Sequence, residues 1–390
     1  MSEPTDDAPG REAPEEGQAI VPRDGTPEEF PEGEREAVDQ LFAVLDKVPF
    51  VSGFKRDVTS LSAMIRGRRP PRVLAIGAPG SGRSQLANAL LGEPVLRVGP
   101  AGDAPDRRWL RVDAAGRRID WMEIAARGDT TELMNDGEGA RAPDVVIAFV
   151  TPAEAERGAG RVLELALAAR ALGGETPLPL IAVLGRADAV EPEAAAAPFP
   201  ADKELRIAGL KRALRRQLVE AGLPKETPLH AVATPSAGEH RLGIAPWNLG
   251  GLAESLASAV PAAARVEAAR AFPDAVRTRR KVASDLIESC STLAITVALS
   301  PIPLSDIAVI VPLQTTMVTA IAYLSGRRWS PRAAGEWLTS AGLVAGAGWG
   351  MRTAARQVLK LVPGAGSVVG AGMAGAGTLA LGRSAMKYYL

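Results

Sequence analysis

The sequence predicts an α/β domain with a mostly parallel sheet covered by helices, followed by an all-α apolar domain. Three observations carry that expectation. Short β-like runs alternate with helical stretches from Arg72 to about Pro261. The first of those runs, "RVLAIG", enters a glycine-rich turn and then an amphipathic helix. After Arg265 charge nearly vanishes: between Glu288 and Arg327 only Asp306 is charged.

The elements follow in order. Residues 1–35 are rich in Glu, Asp, Pro and Gly with few large apolar side chains, a composition that cannot offset the entropy of folding, so an acidic disordered tail is expected. Residues 36–69 repeat apolar positions at helical spacing, first Val38, Leu41, Phe42 and Leu45, then Val58, Leu61 and Ile65. Two helices are expected there, ending at Pro70-Pro71. Residues 70–265 hold six strand-like runs: "RVLAIG", "RWLRVD", "RIDWMEIAA", "DVVIAFV", "PLIAVLG" and "PLHAVA". Helical stretches such as "AEAERGAGRVLELALAARAL" and "ADKELRIAGLKRALRRQLVEAG" lie between the later runs, and helical crossovers imply parallel strands buried on both faces. The short "AAGR" link between the second and third runs predicts an antiparallel hairpin at one edge. Residues 266–390 are expected to be helical and apolar.

The turn after the first strand is where chemistry is expected. Gly77-Ala78-Pro79-Gly80-Ser81-Gly82-Arg83-Ser84 fits G-x-x-x-x-G-K-[ST] except at the lysine. Glycines there let several backbone N–H groups point inward as an anion nest, and the following helix adds its positive dipole end. The motif's lysine reaches the β- and γ-phosphates and its hydroxyl residue helps to hold Mg²⁺. Ser84 meets the second requirement. Arg83 carries the charge, but its planar fork presents donors differently from an ammonium, so binding should survive the change better than hydrolysis. Arginine is also this chain's habitual cation, since only 8 of its 45 basic residues are lysine. A ligand-free glycine turn is the plainer alternative.

The run "GAPGSGRSQLANALLGE" resembles the start of Era- and TrmE-like GTPase domains. That resemblance implies guanine-nucleotide binding, with GTP or GDP and Mg²⁺, through Gly77, Gly80, Ser81, Gly82, Arg83, Ser84 and Gln85. It also implies an N-K-x-D element, met by Gly185-Arg186-Ala187-Asp188, in which Asp188 would accept hydrogen bonds from the base although glycine replaces asparagine. The S-A element is met by Ser236-Ala237. Two parts depart from the pattern. "EPVLRVGPAGDAPDRR" has no threonine or serine for the first switch, and D-x-x-G is replaced by Glu123-Ile124-Ala125-Ala126 or by the later Asp129. Each loss removes a γ-phosphate contact of the kind that orders switch loops. Ser84 is the expected Mg²⁺ ligand, with Glu123 a candidate second.

The apolar half resembles the YcjF-like domain: P-I-P-x-x-D at Pro301–Asp306, P-L-Q-x-x-M at Pro312–Met317 and "VPGAG" at Val362–Gly366. Members are membrane-linked, which implies a membrane or protein partner through residues 290–390. Spanning a bilayer takes about 20 apolar residues; Pro301, Pro303, Pro312 and Asp306 interrupt the candidates here. A soluble bundle and a membrane hairpin both stay open, and a homodimer is an allowed assembly.

Composition narrows the classes further. Acidic and basic residues number 45 each, so no field favours nucleic acid. One cysteine, Cys290, excludes an internal disulfide and fits a reducing compartment. Two histidines give zinc sites and histidine triads little material. The start has neither a basic region nor an apolar core, so no signal peptide is expected. The resulting expectation is a cytoplasmic protein, peripheral or integral at the inner membrane, that binds guanine nucleotide and hydrolyses GTP to GDP and phosphate slowly. The rivals are a nucleotide-free pseudo-GTPase scaffold and a dynamin-like membrane GTPase.

Overall fold

A computed structural model gives the architecture and describes residues 38–39, 41–43, 45, 52–96, 98, 109–114, 116–127, 142–192, 197–236, 239, 242–299, 309–330 and 368–390. The expected tail, residues 97 and 99–108 of the expected first switch (93–108), Asp129, Ala237, Pro301–Asp306 and Val362–Gly366 lie outside them.

The α/β class is as expected. Six strands, β1 (Arg72–Gly77), β2 (Leu110–Ala114), β3 (Arg117–Ala125), β4 (Val145–Val150), β5 (Leu180–Leu184) and β6 (Leu229–Ala231), form one sheet ordered β2-β3-β1-β4-β5-β6. Every pairing is parallel except β2 with β3, where Val112 faces Ile119 across the predicted edge hairpin. Gly116 makes that turn in the left-handed region, and its N–H donates to Asp113 Oδ1 at 2.7 Å.

Strand side chains alternate between two cores, which is why these runs read as continuously apolar. Val73, Ala75, Trp121, Ile147, Phe149 and Val183 face α2 (Arg83–Leu91), α6 (Leu249–Ala259) and α7 (Ala262–Ala271). Leu74, Ile76, Val146, Ala148, Ala182 and Leu184 face α4 (Gly160–Ala171) and α5 (Ala201–Glu220). The stretch expected as one helix before β5 is two. Here α3 (Pro152–Arg157) starts on a Thr151/Glu154 capping box and stops at Gly158, whose φ of 122° no ordinary helix residue takes.

The third core is helical. It joins α8 (Val276–Leu299), α9 (Val311–Leu324) and α10 (Val368–Tyr389) to the N-terminal segment, with Leu41, Phe42 and Leu45 and, from α1 (Ser52–Ile65), Leu61 and Ile65 buried among Leu286, Leu293, Met317 and Ile321. The N-terminal helices thus complete the C-terminal bundle. Residue 265, the expected boundary, falls inside α7, which is shared. Val266 and Ala269 enter the helical core, while Ala264, Ala268 and Ala271 enter the sheet core. Helices α8 and α10 meet closely because α10 presents glycines. A Cβ on Gly382 would sit 2.6 Å from Ile287 Cγ1 and 3.1 Å from Met317 Sδ. Among the described residues α8 is the one helix long and apolar enough to cross a membrane, and 44 % of its apolar window is buried in the bundle.

Candidate functional site

The glycine-rich turn sits at the C-terminal end of β1, at the crevice where open α/β sheets bind ligands. Gly80 and Gly82 take positive φ values of 69° and 103°, and Gly82 leads straight into α2. No side chain caps that helix start, so its first-turn amides keep their donor capacity. Gly77 is needed for close approach: a Cβ there would lie 2.7 Å from the Phe149 carbonyl oxygen and 3.0 Å from Ser81 Oγ. Ser81 Oγ is buried and has no hydrogen-bond partner. Ser84 and Gln85 lie half-buried in the first turn of α2.

Arg83 is the surprise. Its side chain is only 4 % exposed, and it turns beneath the loop. Its Nε pairs with Glu123 Oε2 at 3.3 Å, and its Nη1 donates to the Ile124 carbonyl at 2.9 Å and to the Gly77 carbonyl. Glu123, equally buried, also accepts from Trp121 Nε1 at 3.0 Å, so both of its oxygens are engaged by the protein. Arg83 and Glu123 lie 40 residues apart in the chain; the parallel β1–β3 pairing, with Ala75 opposite Glu123, brings them together.

Asp188 lies on a one-turn 3₁₀ helix, Ala187–Ala189, after β5. Arg186, just before it, holds a left-handed φ of 52°, and Ala187 N–H donates to the Val232 carbonyl, which presses the turn against the end of β6. Asp188 Oδ1 is buried without a partner. Burial raises the Asp188 carboxyl above its usual range and the Glu239 charge adds to this; hydrogen bonding to the backbone and the charges of Arg186 and Lys203 oppose it only in part. Ser236 belongs to the same rim through Glu239, whose carboxylate accepts from the Ser236 N–H at 2.7 Å.

Three further residues shape the site. The ring of Phe149 fills the space beside Gly185 that a side chain would need, and its Cζ lies 3.9 Å from where a Cβ on Gly82 would be, so one ring separates the loop from the Asp188 turn. Lys203, fully buried on α5, donates to the carbonyls of Asp188 and Pro192 and packs over Phe199, fixing that turn from behind. Asn88 gathers the chain leaving α2, accepting from Val95 and Leu96 N–H and donating to the Leu96 carbonyl at 2.8 Å. Only Asn88 had a signal, in the "NALLG" run.

Ser84 supplies a hydroxyl in the first turn of α2, and no group of three or more His, Cys, Asp or Glu lies together among the described residues. A Mg²⁺ ion here would take Ser84 plus phosphate and water oxygens, the ordinary habit of that ion.

No protein-family model matches the chain. Magnetosome membrane protein 22 of Magnetospirillum gryphiswaldense is 35 % identical over 122 residues, 30 % of this chain, and the chain spans 62 % of that relative's length. Among solved structures, Aquifex aeolicus Era Y63A bound to GDP·AlF₄⁻ is similar over 60 % of this chain and 69 % of its own, with 18 % identity and a TM-score of 0.33. Toc33 of Arabidopsis thaliana with Mg²⁺ and GMPPNP is similar over 50 % and 84 %, with 14 % identity and a TM-score of 0.31. Likeness of that degree carries no argument about activity, which the residues themselves must supply.

Proposed function

We propose that this chain binds a guanine nucleotide with Mg²⁺ and hydrolyses GTP slowly if at all. The reading rests on one observation above others: an unpartnered, buried carboxylate oxygen on Asp188 belongs to the turn that lies across the Phe149 ring from the uncapped start of α2. A purine bearing N–H donors would satisfy the first, and phosphate oxygens the second. Gly80, Gly82 and the first-turn amides would cradle phosphate, Ser84 would ligate Mg²⁺, and Asp188 would read the base. Arg83 would stay in place. Pulling it away would break a buried pair and leave Glu123 charged in the core, at a cost of about 3–5 kcal/mol. A cation so committed cannot follow charge developing on a γ-phosphate, hence slow turnover.

Calorimetry with GTP, GDP and ATP in Mg²⁺, using Ser84→Ala and Asp188→Ala as controls, tests this. Guanine-selective, Mg²⁺-dependent binding lost in both variants is expected. The buried Arg83–Glu123 pair also favours a second reading, a pseudo-GTPase scaffold, and heatless titration by every nucleotide would select it.

The helical unit, YcjF-like in its motifs, would carry the output at a membrane surface. Support comes from Ile295, Leu299 and Val311, exposed large apolar side chains in the last turns of α8 and at the start of α9. Flotation with anionic and neutral liposomes is the check; a chain that stays at the bottom with both would remove the membrane from the reading.

A further inference from the structure

A second buried polar cluster lies at the other end of β3. Arg270, on α7, donates from Nη1 to the Gly116 carbonyl at 2.7 Å and to the Tyr323 hydroxyl at 2.7 Å. Tyr323, on α9, donates in turn to Glu267 Oε1 at 2.8 Å, and Arg68 Nε reaches the same oxygen at 3.0 Å. The Tyr323 ring lies between two guanidinium groups, with Arg270 Cζ 4.0 Å and Arg68 Cζ 4.3 Å from its centroid. Burial pushes the Tyr323 hydroxyl up to about 12, so it remains a donor at any ordinary pH. This cluster joins the linker after α1, the shared helix α7, the end of α9 and the β2–β3 turn.

Strand β3 runs between the two clusters. Gly116, at its start, is held by Arg270; Glu123 and Ile124, at its end, are held by Arg83. Seven and eight residue steps separate Gly116 from Glu123 and Ile124, about 23–26 Å at ~3.3 Å per residue. A buried ion pair contributes little net stability over an apolar core but resists any change in its geometry, because a half-broken one leaves charge unpaired. Close-packed interiors transmit such displacements rather than absorbing them.

We propose that β3 is a strut coupling the phosphate loop to the helical unit, so that the state of the Arg83–Glu123 pair is felt at the Gly116–Arg270–Tyr323–Glu267 cluster. The coupling deepens the nucleotide reading by naming its route of output, yet it can be tested without nucleotide. Arg83 bonds to Gly77, Glu123 and Ile124 and to no residue of α9 or α7, so a purely local role for it would leave the amides at 267–270 and 323–326 unmoved.

Hydrogen exchange on the full chain, comparing Arg83→Met with Ser84→Ala, is the experiment. Arg83→Met should speed exchange about tenfold at residues 116–119, 267–270 and 323–326, the loss expected when a charged hydrogen bond is relaxed, and Ser84→Ala should not. Tyr323→Phe should reciprocally speed exchange at 122–126, because coupling is mutual. Should Arg83→Met not fold, Glu123→Gln, which keeps an acceptor for Trp121, takes its place. Changes confined to 77–86 and 122–126 would overturn the strut. Saturating Mg²⁺-GTP makes the final arm. Protection at 77–86 with no change at 267–270 or 323–326 also overturns it, whereas no protection at 77–86 sinks nucleotide binding and leaves the variants to decide the strut.

Discussion

The ring of Phe149 occupies the place beside residue 185 that a side chain would need, and only glycine leaves it room. Phe149 itself is fully buried between the loop and the Asp188 turn, so it has nowhere to retreat. Glycine at the position where the resemblance implies asparagine is therefore half of a packed pair. Gly185→Ala should lower stability by about 1–3 kcal/mol, the usual penalty of overpacking, and Gly185→Asn by at least as much. Combined with Phe149→Val, Gly185→Asn should cost clearly less than the two single changes added together. Urea unfolding of the three variants measures this coupling.

Arg83→Lys separates the two jobs an active-site cation can have. Lysine cannot span Glu123 and the Gly77 and Ile124 carbonyls at once, so stability should fall by about 1–3 kcal/mol. Because the arginine is turned toward protein oxygens, guanine-nucleotide affinity should stay equal or tighten. Chemical unfolding and calorimetry on one preparation give both numbers. A loss of affinity with unchanged stability would mean that Arg83 leaves Glu123 to meet the ligand.

Asp188 should oppose the fold and serve the site. Its carboxyl is raised by burial, so the folded state binds the proton more tightly than the unfolded chain does. Its charged form therefore costs stability above the ordinary value of 3.8, and the penalty disappears as pH falls below it. Asp188→Asn should raise the melting temperature at pH 7 by no more than about 2 °C, given the partial solvent screening, and by nothing near pH 3. Guanine-nucleotide binding should weaken in the same variant. Thermal scans from pH 3 to 8 follow the first effect and calorimetry the second.

Within α10, glycine has two meanings. Gly382 faces Ile287 with 2.6 Å for a Cβ, whereas Gly377 is exposed with no atom within 4 Å. Alanine improves helix propensity by up to about 1 kcal/mol at either place. At Gly377 that gain should appear as added stability. At Gly382 the clash with a buried, branched neighbour should outweigh it and leave the protein less stable by about 1–2 kcal/mol. Thermal unfolding of the two alanine variants side by side decides the matter.

All six strands, the edge hairpin and the glycine loop were legible because each is written in neighbouring residues: short apolar runs, a short polar link, and glycines where φ must be positive. The candidate residues of the loop and of the Asp188 turn were legible for the same reason. What stayed hidden depends on residues far apart along the chain. Leu41, Phe42 and Leu45 announce a helix with an apolar face, but nothing in their spacing says that the face belongs against Leu286 and Ile321. Arg83 reads as a phosphate contact until β3 places Glu123 beside it, and Gly185 reads as a loss until Phe149 is seen filling the gap. Local periodicity and backbone chemistry settle which elements form. The partner that each buried charge and each apolar face finds is settled by strand order and helix packing, since those alone bring distant side chains within contact range.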